Sequence, residues 1–129
     1  MLEKHRALRV LAADDDGLIL QLITEVLRET GCKVLSAADG AEALRILQTE
    51  DVDLLLTDFR MPRMNGLELI RWSRANLPYV ATVLMTGDTS EWLTAEARSS
   101  GAHGILLKPF PFERLLHLLE ELRTVKPAA

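Results

Sequence analysis

Six residues of this chain have types and positions that suit joint chemistry: the carboxylates of Asp14, Asp15, Asp16 and Asp58, the hydroxyl of Thr86 and the ammonium of Lys108. Each group follows a short apolar run: VLAA, LLLT, TVLM and ILL. Carboxylates gathered in one cleft repel one another, and their pKa values rise unless a cation is near. Lys108 supplies one positive charge. A hard divalent cation with oxygen ligands, such as Mg²⁺, would supply the rest, and Mg²⁺ favours one or two carboxylates plus phosphate oxygens. That combination suits phosphoryl transfer, in which catalysis is mostly positioning and charge neutralisation. Asp58 is then the nucleophile that forms an acyl phosphate, with Thr86 and Lys108 on the phosphoryl oxygens. Singly, each residue has a plainer reading. A run of aspartates caps a helix, a role that suits Asp16. Threonine favours strands, Asp58 suits a turn, and Lys108-Pro109 suits a loop. Their joint placement favours the chemical reading.

The elements that must position these groups are legible as alternating patterns. Strands are expected at 10–13, 34–37, 54–57, 82–86 and 105–107, and helices at 18–30, 40–49, 67–76, 90–99 and 111–124. In the first helix Ile19, Leu22, Ile23, Val26 and Leu27 follow the spacing of one buried stripe. Gly31 then ends it. FRMPRMNG, with Pro62 and Asn65-Gly66, reads as a loop with a turn. The fourth helix has only Trp92, Leu93 and small alanines to bury, and the last has Leu115, Leu118, Leu119 and Leu122 on one face. Five β-α units imply an α/β fold, a doubly wound parallel sheet covered on both faces. Ligands of such sheets bind outside the carboxyl ends of the strands. Four of the five strands end in Asp14–Asp16, Asp58, Thr86 and Lys108, whereas the second ends in Ala37 and Ala38.

The 129 residues fit one domain, 1–129, with a core over 8–124. A net charge of −4 and the lack of a basic run argue against direct nucleic-acid binding. Cys32 has no partner for an internal disulfide. MLEKHRALRV lacks the apolar centre of a signal peptide. No apolar run approaches the roughly 20 residues of a membrane span. A cytoplasmic protein without membrane contact is therefore expected.

VLAADDD, LLLTDFRMPRMNG, VLMTG and GAHGILLKPF, in that order over residues 8–122, resemble the successive signatures of response-regulator receiver domains of two-component signalling, the CheY-like superfamily. The resemblance implies a flavodoxin-like five-stranded sheet in the order 2-1-3-4-5. It assigns Asp58 as the phosphoacceptor, Asp14 and Asp15 as the acidic pair for Mg²⁺, and the Arg60 backbone carbonyl as a further metal ligand. Thr86 becomes the switch hydroxyl, Lys108 the invariant lysine of the family, and Pro109 the proline that follows a cis bond. The implied partner is a sensor histidine kinase or a histidine phosphotransfer protein. The switching surface is helix four, strand five and helix five, and the resemblance also allows a phosphorylation-dependent homodimer. The implied role is a signalling module that assists its own phosphorylation and dephosphorylation, not an enzyme with a separate substrate. Ile105 departs from the pattern, standing where the family most often has Tyr or Phe at a switch position. Arg60 and Asp88 carry opposite charges that should flank the site entrance and pair there. The sequence ends at KPAA, as expected either of a stand-alone receiver or of a piece of a longer regulator.

Three other readings compete. A haloacid-dehalogenase-type phosphatase would use Asp14-Asp15-Asp16 as its first motif, but it needs an acidic pair after Lys108. Only Glu113, Glu120 and Glu121 follow, on the last helix. A flavodoxin-like FMN binder needs a first loop that cradles phosphate with backbone N–H groups, and three aspartates there would repel it. A receiver-like module that only binds partners fits Ile105 but not the complete Asp, Thr and Lys set.

Overall fold

A computed structural model describes residues 7–125. Strands and helices alternate as β1 (Arg9–Ala13), α1 (Gly17–Glu29), β2 (Lys33–Ala37), α2 (Gly40–Thr49), β3 (Leu54–Asp58), α3 (Gly66–Asn76), β4 (Ala81–Thr86), α4 (Glu91–Ser99), β5 (Gly104–Leu107) and α5 (Phe112–Val125). All strand pairs are parallel, in the order β2-β1-β3-β4-β5. This is the expected doubly wound, flavodoxin-like sheet.

Strand side chains alternate between two cores, as the period of 2 in a pleated strand requires. Leu11, Leu55 and Leu84 face α2, α3 and α4, where Ala43, Leu47, Leu69, Ile70, Leu93 and Ala97 are buried. Val10, Leu54, Leu56, Val83 and Met85 face α1 and α5, against Ile23, Leu27, Leu115 and Leu119. The last helix buries the row expected of it, with Leu118 partly covered. The first and fourth helices bury less. Leu22 is 42% exposed and Trp92 is 60% exposed, so neither belongs to the core. Both stand next to a row that does face the sheet, Ile23–Leu27 and Leu93–Ala97 respectively. One residue is a rotation of about 100° around a helix. The narrow contact with the sheet admits one row and turns its neighbour outward.

The helix starts explain two local readings. Asp16 caps α1, accepting hydrogen bonds from the backbone N–H groups of Leu18 and Ile19. Asn65 is the N-cap of α3, in a reciprocal capping box with Glu68, so α3 begins at Gly66. Asp39 and Ser90 likewise cap α2 and α4 through their side chains.

Candidate functional site

Strand register brings the sequence-selected groups to the carboxyl edge. Ala13 pairs with Thr57, Asp58 with Met85, and Thr86 with Leu107. Asp14 and Lys108 follow β1 and β5 directly. The Lys108 ammonium donates to Asp14 Oδ2 at 2.8 Å and to Asp58 Oδ1 at 3.0 Å, joining residues 94 and 50 positions away. The Asp14 side chain is fully buried and also accepts from the Asp16 backbone N–H at 2.9 Å. Asp58 is 9% exposed, whereas Asp15 stands in solvent. Ligand oxygens of Asp14, Asp15 and Asp58 all lie within 4.8 Å of one another.

Charge does not balance in this cluster. Burial pushes the Asp58 carboxyl above its ordinary value; the Lys108 hydrogen bond opposes the shift, and the negative charges of Asp14 and Asp15 add to it. Burial works against the Lys108 charge, but hydrogen bonds and attraction from Asp14 and Asp58 together outweigh it and raise its pKa. Three carboxylates share one ammonium. An oxygen-seeking divalent cation would compensate the remaining negative charge, so these residues fit Mg²⁺.

Thr86 is buried at the end of β4, and its hydroxyl oxygen accepts from the Asp88 backbone N–H at 3.0 Å. Its carbonyl accepts from the Lys108 backbone N–H at 2.8 Å, just before the cis Lys108–Pro109 bond. Ile105 pairs with Leu84 inside the sheet and packs against the α2–α4 core. At the rim, the Arg60 side chain is 78% exposed and lies 3.9 Å from Asp88 Oδ2, the pairing expected from their charges. Its guanidinium stands 5.4 Å from the centroid of the Phe59 ring. Arg60, Asp15, Phe59, Met61 and Asn65 line an open cleft beside the acidic cluster.

Two supporting residues escape a reading by sequence. A Cβ at Gly66 would collide with the Asp58 carbonyl oxygen, and the Gly66 N–H donates to the Phe59 carbonyl at 2.9 Å. A Cβ at Gly40 would collide with the Met64 backbone. Asn65-Gly66 carries a turn signal, which conceals the close approach; Gly40 reads as an ordinary helix start.

An acidic triad with a bridging lysine, at the carboxyl edge of a 2-1-3-4-5 sheet, defines a receiver-type α/β protein. The profile of the response regulator receiver domain matches residues 10–120, and the chain belongs to that family. It is 30% identical over 118 residues to the chemotaxis protein CheY of Pseudomonas aeruginosa, covering 89% of this chain and 95% of that protein. It is 34% identical over 113 residues to the transcriptional regulatory protein PdtaR of Mycobacterium tuberculosis, covering 87% of this chain but only 55% of that one. The crystal structure of a CheY-like response regulator receiver domain protein from Methanospirillum hungatei superposes with a TM-score of 0.90 at 28% identity, over 93% of this chain and 96% of that one. Among the described residues, no helix is long and apolar enough to cross a membrane.

Proposed function

We propose that this receiver takes a phosphoryl group from the histidine of a sensor kinase or phosphotransfer protein onto Asp58. A carboxylate oxygen of Asp58 attacks phosphorus; the new O–P bond replaces the donor's N–P bond, and the electron pair returns to the imidazole. The observation that carries this reading is the bridge from Lys108 to both Asp14 and Asp58. It holds a buried nucleophile beside a cation that can follow developing phosphoryl charge. Burial of Asp58 also makes its carboxylate more basic, hence a better nucleophile. Thr86 Oγ1 accepts from Asp88 and keeps its own proton to donate to a phosphoryl oxygen.

Asp14, Asp15, Asp58 and the Arg60 carbonyl would hold Mg²⁺. When bound, Mg²⁺ supplies neutralising charge and oxygen coordination for the phosphoryl group. The same reading places the chain in the cytoplasm. It gives the output surface to α4, β5 and α5, where Trp92, Leu107 and Phe112 are exposed apolar side chains. Acceptor and catalyst are one chain, which therefore assists its own phosphorylation and the later hydrolysis of the acyl phosphate. The dehalogenase alternative has no comparable support: Glu113 and Glu120 are exposed on α5, and the carboxylate cluster includes Asp58, which that reading leaves unused. Phosphoryl uptake from acetyl phosphate, followed by intact mass, should require a divalent cation. Uptake that continues unchanged in excess chelator contradicts the reading.

A further inference from the structure

We infer that Arg60 is a charge-exchange link that ties the start of α4 to the state of Asp58: it holds Asp88 in the unphosphorylated chain and leaves it for the phosphoryl group. This rests on Asp58 being the phosphoacceptor.

Asp88 is a junction of three contacts. Its carboxylate faces Arg60 through Oδ2 at 3.9 Å. Its Oδ1 accepts from the Ser90 backbone N–H at 2.8 Å. Its own backbone N–H donates to Thr86 Oγ1 at 3.0 Å. Ser90 in turn is the N-cap of α4, with its hydroxyl accepting from the Leu93 N–H and its carbonyl from the Thr94 N–H. A continuous path of polar contacts therefore runs from Arg60, two residues after Asp58, to the first turn of α4. That helix buries only Leu93 and Ala97, and Arg71 of α3 ties its far end by donating to Glu96 and Ser100, which leaves the first turn as the end free to respond. Small changes at its cap should move it.

Arg60 is placed to respond. Its side chain lines the same cleft as Asp15, whose carboxylate lies within 4.8 Å of that of Asp58. Among the described residues, two weak contacts hold the guanidinium, one to Asp88 and one over the face of Phe59, and most of the side chain is in solvent. Phosphorylation of Asp58 replaces one negative charge by about two. It also extends that charge outward into the cleft. Arginine meets phosphate oxygens with a planar fork, a better match than one carboxylate oxygen beyond hydrogen-bond range. Once Arg60 turns to the phosphoryl group, Asp88 loses the partner on Oδ2 and the Ser90 cap loosens.

The test is amide exchange of Ser90, Leu93 and Thr94, read by NMR with and without acetyl phosphate and Mg²⁺, with intact mass reporting the adduct. In the wild type, phosphorylation should speed exchange at these amides by about two- to five-fold, the range set by an exposed ion pair. Arg60→Gln should show the faster exchange before any phosphorylation, and no further change after it. Arg60→Lys, which keeps the charge, should restore most of the wild-type difference. Raised salt should reduce the difference in the wild type. The inference is overturned if Arg60→Gln retains the full phosphorylation-dependent change, or if its unphosphorylated exchange equals that of the wild type. An adduct on the wild type with no change at these amides overturns the link alone. Absence of any adduct overturns both the link and the phosphoacceptor reading.

Discussion

Lys108 holds two acids at once, and the energetics of the site follow from that shortage of positive charge. Asp14 has a fully buried side chain, so it depends on the ammonium more than exposed Asp15 does. Lys108→Met should destabilise the chain by about 3–5 kcal/mol, the cost of leaving buried acids unpaired. Urea unfolding near neutral pH measures this, and added Mg²⁺ should return part of the loss. Asp58 has the opposite sign. Its pKa is raised from the ordinary 3.8, so the fold favours the neutral acid. The stability tied to that form is full below 3.8 and is lost as pH rises through the raised value. Asp58→Asn should therefore stabilise the unphosphorylated chain at neutral pH, and the gain should fade as the solution is acidified toward 3.8. An Asp58→Asn variant no more stable than wild type near neutral pH would contradict the charge imbalance. The acids, the threonine and the lysine were legible in sequence because each ends an apolar run. The shared use of Lys108 by Asp14 and Asp58 was not, because it is a distance across the four strands β1, β3, β4 and β5.

The elements act as supports that fix side-chain direction, and some of these supports have no sequence signal. Gly66 lets α3 begin against the Asp58 carbonyl. Gly66→Ala forces that backbone apart and should cost about 1–3 kcal/mol, as overpacking does. Phosphoryl uptake should slow with it, since the displaced atoms belong to Asp58. Equal stability and uptake in the alanine variant would refute this placement. A second support lies at the opposite, amino end of the sheet. The Thr82 backbone N–H donates to His103 Nδ1 at 3.0 Å, and the His103 backbone N–H donates to the Thr82 carbonyl at 2.7 Å. Burial and then the nearby Arg74 lower the His103 pKa from 6.5, and the Thr82 N–H needs an unprotonated Nδ1 to donate to. The neutral ring is the stabilising form. Its contribution is present above pH 6.5 and is lost as pH falls through the depressed value. As pH falls from above 6.5 through that value, the wild type should lose more stability than His103→Ala, which lacks the titrating ring. Parallel losses would exclude this tie. Strand positions and caps were readable from apolar runs and polar starts. The outward turn of Leu22 and Trp92 was not, because two adjacent rows of a helix compete equally until the sheet selects one.

At the scale of the molecule, one sheet carries two packed faces and gathers Asp14, Asp15 and Asp58 at its carboxyl edge, so binding at that edge should be felt by the whole fold. Mg²⁺ that binds only the folded arrangement of Asp14, Asp15 and Asp58 should raise the melting temperature by mass action. Asp15→Ala should weaken that response and, by removing an exposed repelling charge, melt no lower than wild type in chelator. A Mg²⁺ response undiminished in this variant would place the ion elsewhere. The order of β-α units was legible because parallel strands need helical crossovers; the strand order 2-1-3-4-5 came from the resemblance, since periodicity alone does not rank strands. The chain spans nearly all of CheY from Pseudomonas aeruginosa and about half of PdtaR, so the same receiver unit serves proteins of different length. The most direct test of its role here is covalent. Wild type and Asp58→Asn are incubated with acetyl phosphate and Mg²⁺, and intact mass and peptide mapping locate any adduct. One phosphoryl group on the wild type, mapped to Asp58 and absent from Asp58→Asn, is the predicted result. The same adduct on both proteins, or none on a folded, Mg²⁺-bound wild type, contradicts it.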